Sequence, residues 1–354
     1  MYFLDKSEES EESVYDKHLT YKVKKGDTLQ SVADELGVDA YELRRYHNIY
    51  CPLSDLIEAD FKSYLKFVIL SPKKTFEAEK EEKKKVQKVS LGSNYLLPFV
   101  ADRINRDYKA QYTTVVGDQV DTIEMEVSVK WLATDKNNYH LFEINKGVIY
   151  VNNTIPDTVM DELAAKTAEV LYPLKIVVDE FGKWIDIYNY EEIDSRWKNV
   201  KEAILDYFEG EVAEKYIEQT EYAFDSAETL LESLVSDYFL RAFFNGIHVS
   251  YTANLAFKNE VFFPLEKDEE SKFEVEQILD PIIDESNLVK VEQKGDYVDC
   301  SGGVSFGFEP WKGKYKASYF LDEHTYCIEK IDLECSIEYD EEIKVMIQIE
   351  SLEK

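Results

Sequence analysis

Ile331, Leu333, Cys335, Ile337 and Tyr339 alternate with polar residues, and the same spacing resumes at Ile343, Val345, Ile347 and Ile349 after Asp340-Glu341-Glu342. Successive side chains of a strand leave on opposite faces, so this spacing fits β-strands with one buried face and does not fit a helix. A connection this short cannot supply the crossover that parallel strands need, so the two runs pair antiparallel.

The same alternation recurs upstream at Ile123, Met125, Val127, Val129 and Trp131. Residues 139–151 continue it, with Asn145-Lys146-Gly147 as the expected hairpin turn. Ile176-Val177-Val178 and Trp184-Ile185-Asp186-Ile187 flank Asp179-Glu180-Phe181-Gly182, a second expected hairpin. Residues 288–298 and 304–308 are expected strands on either side of a bend at Ser301-Gly302-Gly303. That glycine-rich stretch lies between strands, so it reads as a bend or bulge and not as a phosphate loop.

Between these strands the period changes to that of a helix. Val159, Leu163, Val170 and Leu171 fall on one side of an expected helix at 158–171. Ile193, Trp197, Val200, Ile204 and Tyr207 form a second stripe, stopped at Gly210, and Val212, Tyr216, Ile217, Thr220 and Phe224 form a third. A last helix opens with Asp225 three places before Glu228, a capping-box spacing, and runs through Leu230, Leu234, Tyr238, Phe239 and Phe243 to Asn245-Gly246. It is apolar on more than one side, which marks it as the central helix. Strands, then helices, then a closing β-meander predict an α+β body at 91–354: an antiparallel sheet packed on three or four helices, not a doubly wound parallel sheet. Ahead of it the chain divides into an acidic flexible tail at 1–18, a compact unit at 19–72 and a charged linker at 73–90.

The chain carries 72 acidic and 41 basic residues, a formal charge of −31. Such a surface repels phosphate backbones and anionic membranes, so neither nucleic acid nor a lipid surface is an expected partner. No stretch reaches the apolar length of a membrane span, and the residues after Met1 do not form a secretory signal. A cytoplasmic location is the expectation. Cys51, Cys300, Cys327 and Cys335 form no CxxC pair and are expected to be reduced thiols.

The most specific motif is Tyr21-Lys22-Val23-Lys24-Lys25-Gly26-Asp27-Thr28-Leu29-Gln30-Ser31-Val32-Ala33. Val23 points inward, Gly26 permits a tight turn, Asp27 or Thr28 caps a helix, and Leu29, Val32 and Ala33 give that helix its apolar face. After Gly37 a second helix begins near Val38-Asp39-Ala40 and ends around His47-Asn48, and Phe67-Val68-Ile69-Leu70 reads as a closing strand. In this order the pieces resemble a LysM domain. The resemblance implies a βααβ module with N-acetylglucosamine polymers, such as peptidoglycan or chitin, as usual ligands. It also implies a shallow groove walled by Gly26, Asp27, Thr28 and Leu29 on one side and beginning at Asn48, Ile49 and Tyr50 on the other. Helix capping without ligand contact is the alternative role for Asp27 and Asn48. Where the family has a short stretch ending in a Pro-Gly-Gln-like turn, this chain has a longer one from Cys51 to Phe61. An insertion there either covers the groove or replaces it with a surface for protein contact.

Residues with catalytic spacing are absent from the sequence. His18, His47, His140, His248 and His324 fit no HExxH or similar ligand set, and there is no GxSxG elbow or GxxxxGK[ST] loop. No metal, cofactor or catalytic residue is therefore expected. Trp184, Trp197 and Trp311 read as core and not as sugar-stacking platforms, since Trp184 and Trp197 fall on apolar-periodic positions. The resulting expectation is a non-enzymatic binding or adaptor protein whose partner is a protein or an N-acetylglucosamine-containing glycan. In architecture it is similar to LysM-bearing adaptors of contractile, phage-tail-like injection machines assembled inside the cell. A peptidoglycan-binding protein is the alternative, and a carrier enclosing an apolar ligand between sheet and helices is a third reading.

Overall fold

The computed structural model describes residues 14–71, 87–208, 210–265, 270–299 and 310–352. The acidic run at 8–12, the charged run at 79–85, Cys300, the bend at 301–303 and the expected strand at 304–308 lie outside the described residues. Two compact units emerge, Met1–Val86 and Gln87–Lys354.

The first unit runs β1 (Leu19–Lys22), α1 (Leu29–Leu36), α2 (Ala40–Tyr50) and β2 (Phe67–Leu70). β1 and β2 pair antiparallel, with Leu19 opposite Leu70 and Lys22 opposite Phe67. Thr28 and Ser31 form a reciprocal capping box on α1, and Gly37 ends that helix in the left-handed region at φ 68°. Asp39 opens α2 by accepting from the N–H groups of Tyr41 and Glu42. Leu29, Val32, Ala33, Leu43, Ile57, Leu65 and Val68 make one buried cluster between the helices and the strand pair. The residues just before β1 are folded, in contrast to the expected tail reaching residue 18. Val14–Lys17 is a 3-10 turn, the Tyr15 hydroxyl donates to the Asp55 carboxylate, and the Tyr15 ring meets Phe67 at 5.8 Å.

The second unit opens with β3 (Asn105–Val116), β4 (Gln119–Thr134), β5 (His140–Lys146) and β6 (Tyr150–Val151). α3 (Val159–Glu169), β7 (Leu174–Val178) and β8 (Trp184–Ile187) follow. Four helices come next: α4 (Tyr190–Tyr207), α5 (Glu211–Ala223), α6 (Ala227–Leu234) and α7 (Tyr238–Phe243). The chain closes with β9 (Ala256–Phe263), β10 (Ser271–Leu279), β11 (Leu288–Tyr297), β12 (Lys312–Asp322), β13 (Ile328–Glu338) and β14 (Glu342–Ser351). Among the described residues these strands form one twelve-stranded antiparallel sheet in the order β8-β7-β5-β4-β3-β14-β13-β12-β11-β10-β9, with β6 attached to β4. The last strand pairs with the first, Ile347 opposite Tyr112, so the two runs of strands fuse at the middle of the sheet. The fold is α+β, as the strand–helix–strand order requires.

Alternation explains which face is buried. Tyr108, Ala110 and Tyr112 of β3, Tyr315, Ala317 and Tyr319 of β12, and Val345, Ile347 and Ile349 of β14 all turn inward. α7 lies on this face. Its Phe243 packs edge-on against Tyr108 at 4.9 Å, and the Tyr319 hydroxyl donates to the Ala242 carbonyl at 3.2 Å.

Two local expectations change. Asn145-Lys146-Gly147 is not a hairpin turn, because β5 is already paired on both edges, by β4 and by β7. The following β6 therefore returns to β4, with Val151 opposite Ile123. The last expected helix breaks into α6 and α7. Its capping box lies one place later, at Ser226 and Thr229, and Asp237 starts α7 by accepting from the Leu240 N–H. The Asp179–Gly182 hairpin joins β7 to β8 as expected, with the Asp179 carboxylate accepting from the N–H groups of Phe181 and Lys183.

Candidate functional site

The turn from β1 into α1 must reverse the chain within a few residues. Gly26 makes this possible at φ 99°, and a Cβ there would meet nothing within 4 Å, so the need is conformational and not steric. Asp27 does not cap the helix; it closes the turn. Its Oδ2 accepts from the Lys24 N–H at 2.7 Å and lies 3.2 Å from the Tyr21 hydroxyl. Thr28 is the cap, its hydroxyl accepting from the Ser31 N–H at 3.1 Å. Leu29 sends its side chain into the core, while its N–H donates to Asp60 Oδ1 at 2.6 Å. Asp60 Oδ1 also accepts from the Phe61 N–H at 2.7 Å. A carboxylate in this position satisfies an orphan donor of α1 and meets the positive end of its dipole.

The connection from Cys51 to Lys66 is fastened to the unit at several points. Asn48 Nδ2 donates to the Ile57 carbonyl and Asn48 Oδ1 accepts from the Ile57 N–H, both at 2.8 Å. One side chain thus pairs both backbone groups of a residue whose own side chain is buried. His47 is buried beside it. Its Nδ1 accepts from the Ile69 N–H at 3.0 Å, which leaves Nε2 to donate to the Asp55 carbonyl at 3.1 Å. Burial lowers the His47 pKa, in keeping with a neutral ring that holds β2 and the connection together. Arg44 donates to the Glu58 carbonyl at 2.7 Å, and the Tyr64 hydroxyl to the Ser54 carbonyl at 2.9 Å.

Gly26, Asp27, Thr28 and Leu29 therefore stand together at the turn, as the sequence suggests. Asn48 reaches this region only through Ile57, and its amide is spent on that backbone. Ile49 and Tyr50 are exposed at the end of α2, where the Tyr50 ring lies 4.8 Å from Tyr46 and 5.1 Å from His18. The residue that meets the turn from the opposite side is Asp60, which sequence reasoning passed over. No local signal marks it, because its partner is 31 positions away.

Residues 21–60 match the family model of the LysM domain. The N-terminal unit is a LysM domain. The match ends on Asp60, so the residue that closes the α1 terminus lies within the LysM span. A LysM domain points to binding, with N-acetylglucosamine-containing glycans as the ligand class. No curated protein matches the chain.

Among the described residues the second unit buries an ion pair and a histidine with defined partners. Lys146 and Asp237 form an ion pair whose side chains are 13% and 10% exposed. Burial opposes the charge on Lys146, but the facing Asp237 carboxylate outweighs it and raises the Lys146 pKa. His248 is buried, lies 2.7 Å from the Pro98 carbonyl through Nδ1, and has its pKa pushed down to about 4 by desolvation. Trp184 and Trp197 are core residues, Trp311 is instead 38% exposed against the Tyr339 ring, and Cys51, Cys327 and Cys335 are free thiols. Among the described residues no group of three His, Cys, Asp or Glu is placed to hold a metal, and no helix is long and apolar enough to cross a membrane.

Proposed function

We propose that the chain is a non-enzymatic adaptor whose LysM domain docks a protein partner and whose α+β body docks another component, as in intracellularly assembled injection-type machines. The observation that carries this reading is the 2.6 Å hydrogen bond from the Leu29 N–H to Asp60. It spends on the protein itself a backbone donor in the first wall of the groove. The connection that brings Asp60 there and the end of α2 before it leave apolar side chains outside: Leu53 is 87% exposed and Tyr64 58% on the connection, and Ile49 61% on α2. Exposed apolar and aromatic side chains on a fastened backbone suit a protein interface, where a few such anchors dominate affinity.

The test is sedimentation of the folded full-length protein with isolated peptidoglycan sacculi, beside native purification of the wild type and of an Ile49→Glu/Leu53→Glu variant. The adaptor reading expects the protein to stay in the supernatant and the double variant to lose a partner that the wild type retains. Retention of the wild type on sacculi would replace it with the glycan reading.

That second reading has its own support in the family match at 21–60 and in the open Gly26–Leu29 turn. Asn48→Ala is a poor probe of it, because the change unfastens Ile57. Asp27→Ala and Asp60→Ala act at the groove itself.

A further inference from the structure

The sheet has two ends, and they differ. At β8 the outer edge is engaged: the Trp184 N–H donates to the Phe244 carbonyl at 3.1 Å, and Lys183 bridges to Asn245. At the other end β9 pairs only with β10 among the described residues. The Ala256 carbonyl accepts from the Thr252 hydroxyl and the Phe262 carbonyl from the Arg241 guanidinium, both outside the sheet ladder. Backbone direction alternates along a strand, so Lys258 and Glu260, which share that parity, also aim their N–H and C=O groups away from β10. These four backbone groups form an open strand edge.

We infer that two copies of this chain associate through β9, paired antiparallel about a two-fold axis at Asn259. The interface is then the same strand seen twice, as closed two-fold dimers require. In this register Lys258 stands opposite Glu260 of the second copy, and Glu260 opposite its Lys258. These are the residues with outward backbone groups, so each opposed pair exchanges two hydrogen bonds. Each pair is also oppositely charged on one face of the sheet. Lys258 has no ion-pair partner among the described residues, whereas Glu260 is 2.7 Å from Lys272.

One further feature fits the same register. Phe262 falls opposite Ala256 of the second copy, whose neighbour on β10 is Ile278. Phe262 and Ile278 are 43% and 37% exposed in the single chain, and pairing brings them together at both ends of the contact. A register shifted by two residues would set like-charged or uncharged residues opposite Lys258 and Glu260.

One strand pair buries less than the roughly 1,200 Å² of a stable interface, so the dimer is reversible, with a dissociation constant on the order of micromolar. The inference does not depend on what the LysM domain binds, though a dimer carries two LysM domains and gains avidity for a repetitive partner.

The test is light scattering after size exclusion on the full chain over a concentration series at low salt. The wild type is expected to approach twice the monomer mass as concentration rises. Lys258→Glu and Glu260→Lys alone each place like charges opposite one another, and each is expected to weaken association by about tenfold or more. Mixed together, the two variants regain both opposite-charge pairs and are expected to dimerise with each other. A wild type that stays monomeric throughout would overturn the inference. So would a dimer insensitive to both substitutions, or single variants that fail to associate on mixing.

Discussion

Asp60 and Leu29 are joined by a 2.6 Å hydrogen bond from the Leu29 N–H to the Asp60 carboxylate, across 31 residues of sequence. The bond ties the connection after α2 to the first turn of α1 and decides which backbone donors of the LysM domain face outward. Replacing Asp60 with Ala removes a charge-assisted bond at a helix N-terminus and is expected to destabilise the LysM domain by about 1–2 kcal/mol. It also frees the Leu29 N–H, so Asp60→Ala is expected to sediment with sacculi more than the wild type does. Urea unfolding and the sacculi assay read the two effects separately.

Asn48, on α2, is a structural residue that fastens the same connection. Asn48→Ala leaves the N–H and carbonyl of Ile57 without their side-chain partners beside a buried cluster, and is expected to cost about 2–3 kcal/mol. Asn48→Asp keeps the acceptor but loses the donor, so it is expected to fall between the two. Hydrogen exchange at the Ile57 amide should accelerate in Asn48→Ala before it does at Val32, which lies in α1.

In the body, Lys146 on β5 reaches the residue that starts α7. Lys146→Met leaves Asp237 as a buried carboxylate without its cation and is expected to cost about 3–5 kcal/mol. Adding Asp237→Asn removes that charge while keeping a side-chain oxygen for the Leu240 N–H, so the double variant is expected to be more stable than Lys146→Met alone. Equilibrium unfolding of the three proteins gives the comparison directly.

Stability should fall with acid in a defined window. The folded pKa of His248 is about 4, below its ordinary value of 6.5. Above 6.5 the ring is neutral in both folded and unfolded chains, and its contribution is fully present. As pH falls through the interval, the unfolded chain binds a proton that the folded one refuses, which weakens folding by roughly 1.4 kcal/mol per pH unit, to about 3 kcal/mol in all. Burial also lowers the pKa of His47 and His140, with the same sign. Thermal midpoints recorded at about pH 7.5 and about pH 5 should therefore separate in the wild type and lie closer together in His248→Gln, the remaining gap belonging in part to His47 and His140.

The strands are legible in the sequence where one face is buried and the other wet. Ile331 to Ile337 and Ile343 to Ile349 alternate because the sheet has that asymmetry, and their antiparallel pairing follows from a short connection. The break between α6 and α7 was hidden, because Leu234, Val235, Tyr238 and Phe239 keep a helical period across it. What interrupts the helix is Asp237, and its commitment to Leu240 and Lys146 depends on a strand 91 residues earlier. The capping box is ambiguous by one residue for a simpler reason: Asp225-Ser226 offers two adjacent caps, and only the extended backbone at Ser226 chooses between them.

Local sequence specifies the two periods, the α+β order, and the LysM turn at Gly26, Asp27, Thr28 and Leu29. Each is written in contacts between residues a few positions apart. Tertiary structure alone decided that Asn48 turns inward to Ile57, that Asp60 meets Leu29, that β14 lies beside β3 and that β9 is left at an open edge. Those outcomes depend on which distant backbone groups come within hydrogen-bonding reach once the core has closed, and no local pattern encodes that distance.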